Sequence, residues 1–168
     1  MNIEKLDFYE SIGEILKRFG NGGVLCTVKD NEDKDNVLTL GWGQIGPFYN
    51  KNPVAVIAVT PLRYSWEFLE QTPEFVLSIP NDSLKKETLY CGQVSGRDAD
   101  KFKECGFTKI KSQNVKPVSI KECKINIECR IYTKICPPHM LLSENHRKKP
   151  LNEQHTIYFA EVLGLYRY

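Results

Sequence analysis

The sequence predicts a mainly β fold, a closed or nearly closed antiparallel barrel with peripheral helices. Three observations carry this. Short apolar, β-branched runs recur along the chain, the helical stretches between them are short, and two strands near the end follow one another. A doubly wound parallel sheet would keep alternating strand and helix to the C-terminus, and this chain does not.

The first helix is predicted over 4–19, where Tyr9, Ile12, Leu16 and Phe19 recur at three- and four-residue spacing and Gly20 stands as a stop. "GGVLCTV" (22–28) predicts a strand, "NEDKDN" (31–36) a polar turn, and "NVLTLGWG" (36–43) a second strand whose glycines let the backbone bend or meet something closely. "VAVIAVT" (54–60) is apolar and β-branched throughout, as a strand buried on both faces requires. "RYSWEFLEQT" (63–72) reads as a short helix, "EFVLSIP" (74–80) as a strand and "NDSLKKETLY" (81–90) as a helix. "CGQVSGRDADKF" (91–102) is a flexible polar turn running into a helix at about 97–105 that Gly106 ends. In "KINIECRIYTKI" (124–135), Ile125, Ile127, Cys129, Ile131 and Ile135 alternate with Lys124, Asn126, Glu128, Arg130 and Lys134, the pattern of a strand with one wet face. "TIYFAEVLGLYRY" (156–168) is the last strand. Between these two, 137–154 is a long connection without periodicity.

A chain of 168 residues, 41% hydrophobic and 26% charged, has the size and composition of one soluble domain over 1–168. A net charge of +2 with no Lys/Arg cluster on a helix face argues against nucleic acid, and the basic run "HRKKP" (146–150) reads as solvated loop. No apolar stretch is long enough to span a bilayer, and "MNIEKLDFYE" carries acids and lacks the apolar segment of a signal peptide, so a cytoplasmic protein is expected. Six cysteines with no C-x-x-C pair are read as reduced thiols.

Three stretches offer chemistry. In the first, Ser95 precedes Asp98 by three residues, the spacing of a helix cap, with Gly96 permitting close approach and Lys101 one turn on. A helix N-terminus so furnished can cradle a phosphate, though a plain capped helix has the same spacing. In the second, "VTPLRYS" (59–65) ends the most buried strand with the hydroxyls of Thr60 and Ser65 and the planar fork of Arg63, suited to phosphate oxygens or to an ordinary ion pair. In the third, Thr39, Gly41 and Trp42 set exposed backbone polar groups beside an indole, which suits a flat heteroaromatic ring or simply a core tryptophan. His139, His146 and His155 with Cys136 match no zinc spacing, and no nucleophile elbow, Walker loop or dinucleotide fingerprint occurs. An enzyme without such groups can still work through a cofactor.

Together and in this order, "NVLTLGWG", "NPVAVIAVTPLRYSWEFLEQTPEFVLSIP", "CGQVSGRDADKF", "ECKINIECRIY" and "HTIYFAEVLGLY" resemble the flavin reductase-like, FMN-binding split-barrel family that includes flavoredoxin. The resemblance covers about residues 20 to 166. It implies a six-stranded antiparallel split β-barrel that forms a homodimer and holds FMN noncovalently near the dimer interface. It also implies that Asn36, Thr39, Leu40, Gly41 and Trp42 line the isoalloxazine and ribityl chain. Thr60, Arg63, Tyr64 and Ser65 would meet the phosphate with Ser95, Gly96 and Lys101, while Cys91 and Gly92 lie close to the cofactor. Ser78 joins the set, although relatives often carry asparagine there, and Ala160 stands where glycine is usual. The 137–154 excursion is longer than the family pattern. The activity implied is hydride transfer from NADH or NADPH to flavin, with electrons passed to a small-molecule or protein acceptor. The alternative is an electron carrier in the manner of flavoredoxin, and a third reading is a barrel for another planar ligand. No catalytic acid or base and no metal are expected. His155, near a barrel opening, is read as structural.

Overall fold

The structure, a computed structural model, describes residues 3–48, 50–139 and 143–168. Its centre is a curled antiparallel sheet, a half-barrel, built from elements in the order β1 (Glu4–Leu6), α1 (Phe8–Gly20), β2 (Val24–Lys29), β3 (Asp35–Leu40), β4 (Gly43–Phe48), β5 (Asn50–Val59), α2 (Tyr64–Gln71), β6 (Glu74–Ile79), α3 (Lys85–Gln93), α4 (Lys101–Glu104), β7 (Lys109–Ile110), β8 (Ser119–Ile120), β9 (Ile125–Ile135), α5 (Glu144–Arg147) and β10 (Thr156–Arg167). The strands run β3-β2-β6-β9-β10-β5-β4; β1 pairs with the end of β10, Glu4 opposite Arg167, and β7 and β8 form a separate ribbon.

The sheet is the split-barrel sheet read from the sequence, with eight strands where six were expected. One addition comes from the predicted first helix. Asp7 caps α1, its carboxylate accepting from the Glu10 N–H at 3.1 Å, and this leaves Glu4–Leu6 extended to pair with β10. The other is β4, whose Gly46-Pro47 pair is tolerated because β4 is an edge strand bonded only to β5. The backbone bends at Gly41-Trp42 between β3 and β4. Gly43 then lets α1 approach, since a Cβ there would come 2.6 Å from the Phe19 ring.

The rotation of α1 also differs from the predicted stripe. Phe8 and Ile15 are buried, with Ile12 and Phe19 packed beside them, while Tyr9 and Leu16 face outward at 61% and 48% exposure. Both stripes satisfy the three–four spacing, and the cap at Asp7 with the tether at β1 selects this one.

Two cores sandwich the sheet. The larger fills the inside of the curl, with Ile15, Ile57, Phe68, Phe75, Leu77 and Tyr158 almost wholly buried. The smaller lies on the outer face of β2 and β3, where Leu25 and Val37 meet Cys91 of α3, Phe102 of α4, Phe107 and Ile120. This outer layer holds the 91–101 turn against β3.

The outer layer also overturns the expected wet face over the first half of β9, whereas Arg130 and Lys134 are exposed as expected. Ile125 to Cys129 are buried on both sides, including Asn126 and Glu128 at 0% exposure, because the aperiodic stretch before β8 covers them. Glu128 accepts from the backbone N–H groups of Gln113 and Asn114, each at 2.7 Å, and from Asn114 Nδ2 at 2.8 Å. Asn126 accepts from Ser78 Oγ at 2.6 Å and the Ile120 N–H at 2.9 Å, and donates to the Ile120 carbonyl at 3.1 Å. Alternation is intact here; the polar side is satisfied by protein instead of water.

Glu128→Ala removes one acceptor for three donors and leaves buried N–H groups unpaired, so it should cost about 3 kcal/mol or more. Urea unfolding checks this: the midpoint should fall with little change in slope, and an unchanged midpoint would show that water replaces the carboxylate freely.

Candidate functional site

Three separated segments converge beside β3. The β5–α2 turn is tied by the Arg63 N–H donating to the Thr60 carbonyl at 3.0 Å. Arg63 Nη1 then donates to the Gly92 carbonyl at 3.2 Å, joining this turn to the end of α3. Asn36 of β3, 5% exposed, donates from Nδ2 to Ser65 Oγ at 2.8 Å, which leaves the serine O–H free to donate. Arg63 holds the cap position of α2, and Ser65 sits in its first turn, buried.

These contacts enclose a cavity of about 100 Å³ lined by Asn36, Thr39, Arg63, Tyr64, Ser65, Cys91, Gly92, Ser95, Gly96 and Lys101. Gly96 is required by contact. A Cβ there would overlap Asn36 Oδ1 and stand 3.1 Å from Tyr64 Cδ1. Gly92 is tight as well, with a Cβ falling 3.3 Å from Thr39 Cβ.

The electrostatics centre on Lys101. It is only 4% exposed, and its Nζ donates to the Cys91 carbonyl at 3.2 Å. Among the described residues no carboxylate pairs with it. Burial holds its ammonium below the usual lysine range, and the Arg63 guanidinium pushes the same way. A buried cation beside a second cation, with serine hydroxyls and no carboxylate partner, has the chemistry to receive an anion.

The positive end of a helix contributes less than the sequence implied. α4 begins at Lys101 and is one turn long, and its cap is Asp100, which accepts from the N–H groups of Phe102 and Lys103 at 3.1 and 3.3 Å. Ser95 instead accepts from the Arg97 N–H at 3.2 Å and shapes the preceding turn. Cys91 turns its thiol toward Cys105, Sγ to Sγ 3.8 Å, and burial pushes it up to about 12, so it presents no thiolate to the cavity.

The outer wall of this cavity is clamped by charge. Lys34 Nζ donates to Tyr64 Oη at 2.9 Å, and the Arg97 guanidinium lies 4.7 Å from the Tyr64 ring centre while pairing with Glu67.

A second cavity of about 410 Å³ adjoins the first, sharing Thr39 and Arg63 and adding Leu40, Gly41, Trp42, Val59 and Thr60. Trp42 is 56% exposed, and its ring meets His155 edge-on, centres 4.7 Å apart at 88°. Thr39 is held by donating its hydroxyl to the Thr88 carbonyl.

The sequence-predicted residues thus line the two cavities, with one exception. Ser78 is fully buried within β6, opposite Leu25 and bonded to Asn126, and lines neither. Sequence reading missed Leu38 and Leu62, which line both, and Lys149 and Glu153, which wall the larger; His155, read as structural near a barrel opening, walls the larger too. Lys149 belongs to "HRKKP", which is exposed as its reading as solvated loop expects; it still borders the cavity because the turn at Leu151–Glu153 brings it round. Nothing in the local spacing signals that return. Among the described residues no three His, Cys, Asp or Glu side chains are placed to hold a metal, and no helix is long and apolar enough to cross a membrane.

Comparison with known proteins agrees with this geometry. The flavin reductase like domain matches residues 16–167, and the chain belongs to that family. An uncharacterized protein of Archaeoglobus fulgidus is 31% identical over 103 residues, 61% of this chain and 57% of the relative. The chain thus spans a little over half the length of that relative. Among solved structures, flavoredoxin of Desulfovibrio vulgaris superposes with a TM-score of 0.69 at 20% identity, covering 85% of this chain and 67% of its own. An FMN-binding domain of a flavin reductase-like enzyme from Shewanella baltica gives 0.69 at 20% identity, covering 99% and 77%. These likenesses establish the fold, that of the FMN-binding split-barrel proteins.

An unpaired buried ammonium destabilises the ligand-free chain. Lys101→Met should raise its unfolding free energy by about 1 kcal/mol. Millimolar inorganic phosphate should raise the melting temperature of the unsubstituted protein and leave that of the variant unmoved. A phosphate effect equal in both would remove Lys101 from anion binding.

Proposed function

We propose that this chain is an FMN-dependent oxidoreductase that accepts hydride from NADH or NADPH and passes electrons to a small-molecule or protein acceptor. The observation that carries the reading is the buried, anion-deficient Lys101 in a small polar cavity that opens onto a larger, flatter one. A charged tail and a planar head are what such a pair of cavities accommodates.

The residues present fit FMN. Lys101 and Arg63 supply two positive charges for a phosphate dianion, and Ser65 and Ser95 supply hydroxyls. Gly96 leaves Asn36 and Tyr64 in place, where a Cβ would collide with both. Asn36 orients Ser65, and Tyr64 closes the outer side. Thr39, Leu40, Gly41, Trp42 and Thr60 offer the larger cavity its strand-end polar groups and an indole. Bound FMN would supply reversible hydride and electron transfer, which this chain's side chains cannot perform. The protein's part is to grip the phosphate, hold the ring system in place, and limit water. Burial holds His155 below the usual histidine range, with Lys149 and Arg63 adding to the effect. It is neutral near pH 7 and is assigned no proton transfer.

A homodimer belongs to the same reading. Leu16 and Phe48, 48% and 53% exposed, share an apolar groove along the edge strand β4 with Ile45, Val54 and Val56. A twofold partner would cover it.

Purified protein should retain or take up FMN, and Lys101→Ala or Arg63→Ala should each weaken that binding about tenfold to a hundredfold. Gly96→Ala should abolish it by displacing Asn36, which orients Ser65, and Tyr64. Unchanged affinity in all three would contradict the phosphate assignment.

Under argon, NADH or NADPH should bleach the flavin absorbance within seconds. A flavin bleached only by a reduced partner protein would make the chain a carrier instead. A colourless protein that cannot be reconstituted with FMN would end the reading.

A further inference from the structure

The outer core holds two thiols that the proposed chemistry does not use. Cys91, 2% exposed, sits near the end of α3, and Cys105 caps the C-terminal end of α4. Their sulfurs lie 3.8 Å apart, so the two short helices meet through them. The Cys105 thiol also faces the Glu87 carbonyl of α3 at 4.0 Å.

Their place in the chain gives the contact its meaning. The segment between them carries Gly92, Ser95, Gly96 and Lys101, all of which line the smaller cavity. Lys101 Nζ donates to the carbonyl of Cys91 itself at 3.2 Å. A covalent link from 91 to 105 would close a loop around these groups, with one end at the acceptor of the ammonium.

The other cysteines are placed differently. Cys26 and Cys129 are fully buried in the inner core, Cys123 is buried in the outer one, and Cys136 is exposed beyond the end of β9. Cys105 is half-buried, so a dissolved reagent reaches the pair through it.

We infer that Cys91 and Cys105 are a reversible disulfide pair, oxidised by small disulfides of the glutathione type, whose closure pins the loop that carries Ser95, Gly96 and Lys101. Bond formation asks each sulfur to move by roughly 1 Å. Cys105 gives its proton to water and attacks one sulfur of the small disulfide, releasing a small thiolate that takes up a proton. Cys91 then gives its proton to water, and its sulfur displaces the second small thiolate from Cys105 Sγ. Two protein thiols are oxidised to one disulfide, and one small disulfide is reduced to two thiols. Burial raises both protein thiols while Lys101 pulls each the other way, so closure is slow at neutral pH. The contact between the sulfurs supplies the advantage over other thiols.

The full chain is incubated overnight under argon with excess oxidised glutathione, then unfolded, alkylated with iodoacetamide and analysed by mass spectrometry. Four of the six cysteines should be alkylated, six less the two that are bridged, and the peptide map should join Cys91 to Cys105. The melting temperature should rise by about 5 °C or more, as closing a loop of this length implies. Amide exchange across 92–104 should slow, and dithiothreitol should reverse both changes. Cys105→Ser, outside both cavities, should lose the bridge and both changes. Six alkylated cysteines, glutathione left on Cys105 without a bridge, a bridge between another pair, or a rise in melting temperature that survives Cys105→Ser would each overturn the inference. Mass and map need no variant, so a poorly folded Cys105→Ser does not shelter it. The bridge forms without FMN: a colourless protein that closes it sinks the cofactor reading alone, and a yellow protein that never closes it sinks this inference alone.

Discussion

The arrangement depends on one buried positive charge. Lys101 sits where water is nearly excluded, with a backbone carbonyl as its hydrogen-bond acceptor and Arg63 as a neighbouring cation. Desolvating an ammonium without a counter-charge opposes folding, so the rest of the structure must hold it there. The force comes from the outer core: Phe102, the next residue, is packed with Leu25, Val37 and Ile120 against the back of β2 and β3. Apolar burial one residue away offsets the cost of placing the charge. The candidate site is therefore strained electrostatically and anchored hydrophobically within a single helical turn.

The same outer layer determines which residues can meet. β3 supplies Asn36 and Thr39 from one edge of the sheet, and the β5 end supplies Thr60 and Arg63 from nearer the other. The curl of the sheet brings these edges toward each other. The 91–101 turn then closes the gap, held by Cys91 and Phe102 in the outer core. Beyond it, Glu128 and Asn126 fasten Gln113, Asn114 and Ile120 to the back of β9.

Much of this was readable from the chain. Runs such as "VAVIAVT" and "EFVLSIP" declare strands through β-branched content, and the polar residues gathered at their ends line the two cavities. What could not be read is what covers what. Asn126 and Glu128 alternate with isoleucines as solvent-facing residues do, and only the three-dimensional return of an aperiodic segment makes them buried. Tyr9 and Leu16 satisfied helical spacing as well as Phe8 and Ile15 did, and a cap and a tether decided the rotation. Ser95 and Asp98 had the spacing of a cap, but Asp100 lay nearer the turn that formed. Lys149 is solvated as its loop's composition says, but composition does not show that the loop folds back to border a cavity.

The clamp around Tyr64 has a further consequence. Lys34, Arg97 and Glu67 hold the outer wall of the smaller cavity through contacts that lie largely at the surface, where dissolved ions compete with them. Added salt therefore bears first on this outer wall, loosening Tyr64 from its partners, while the buried bond between Lys101 and the Cys91 carbonyl is screened far less.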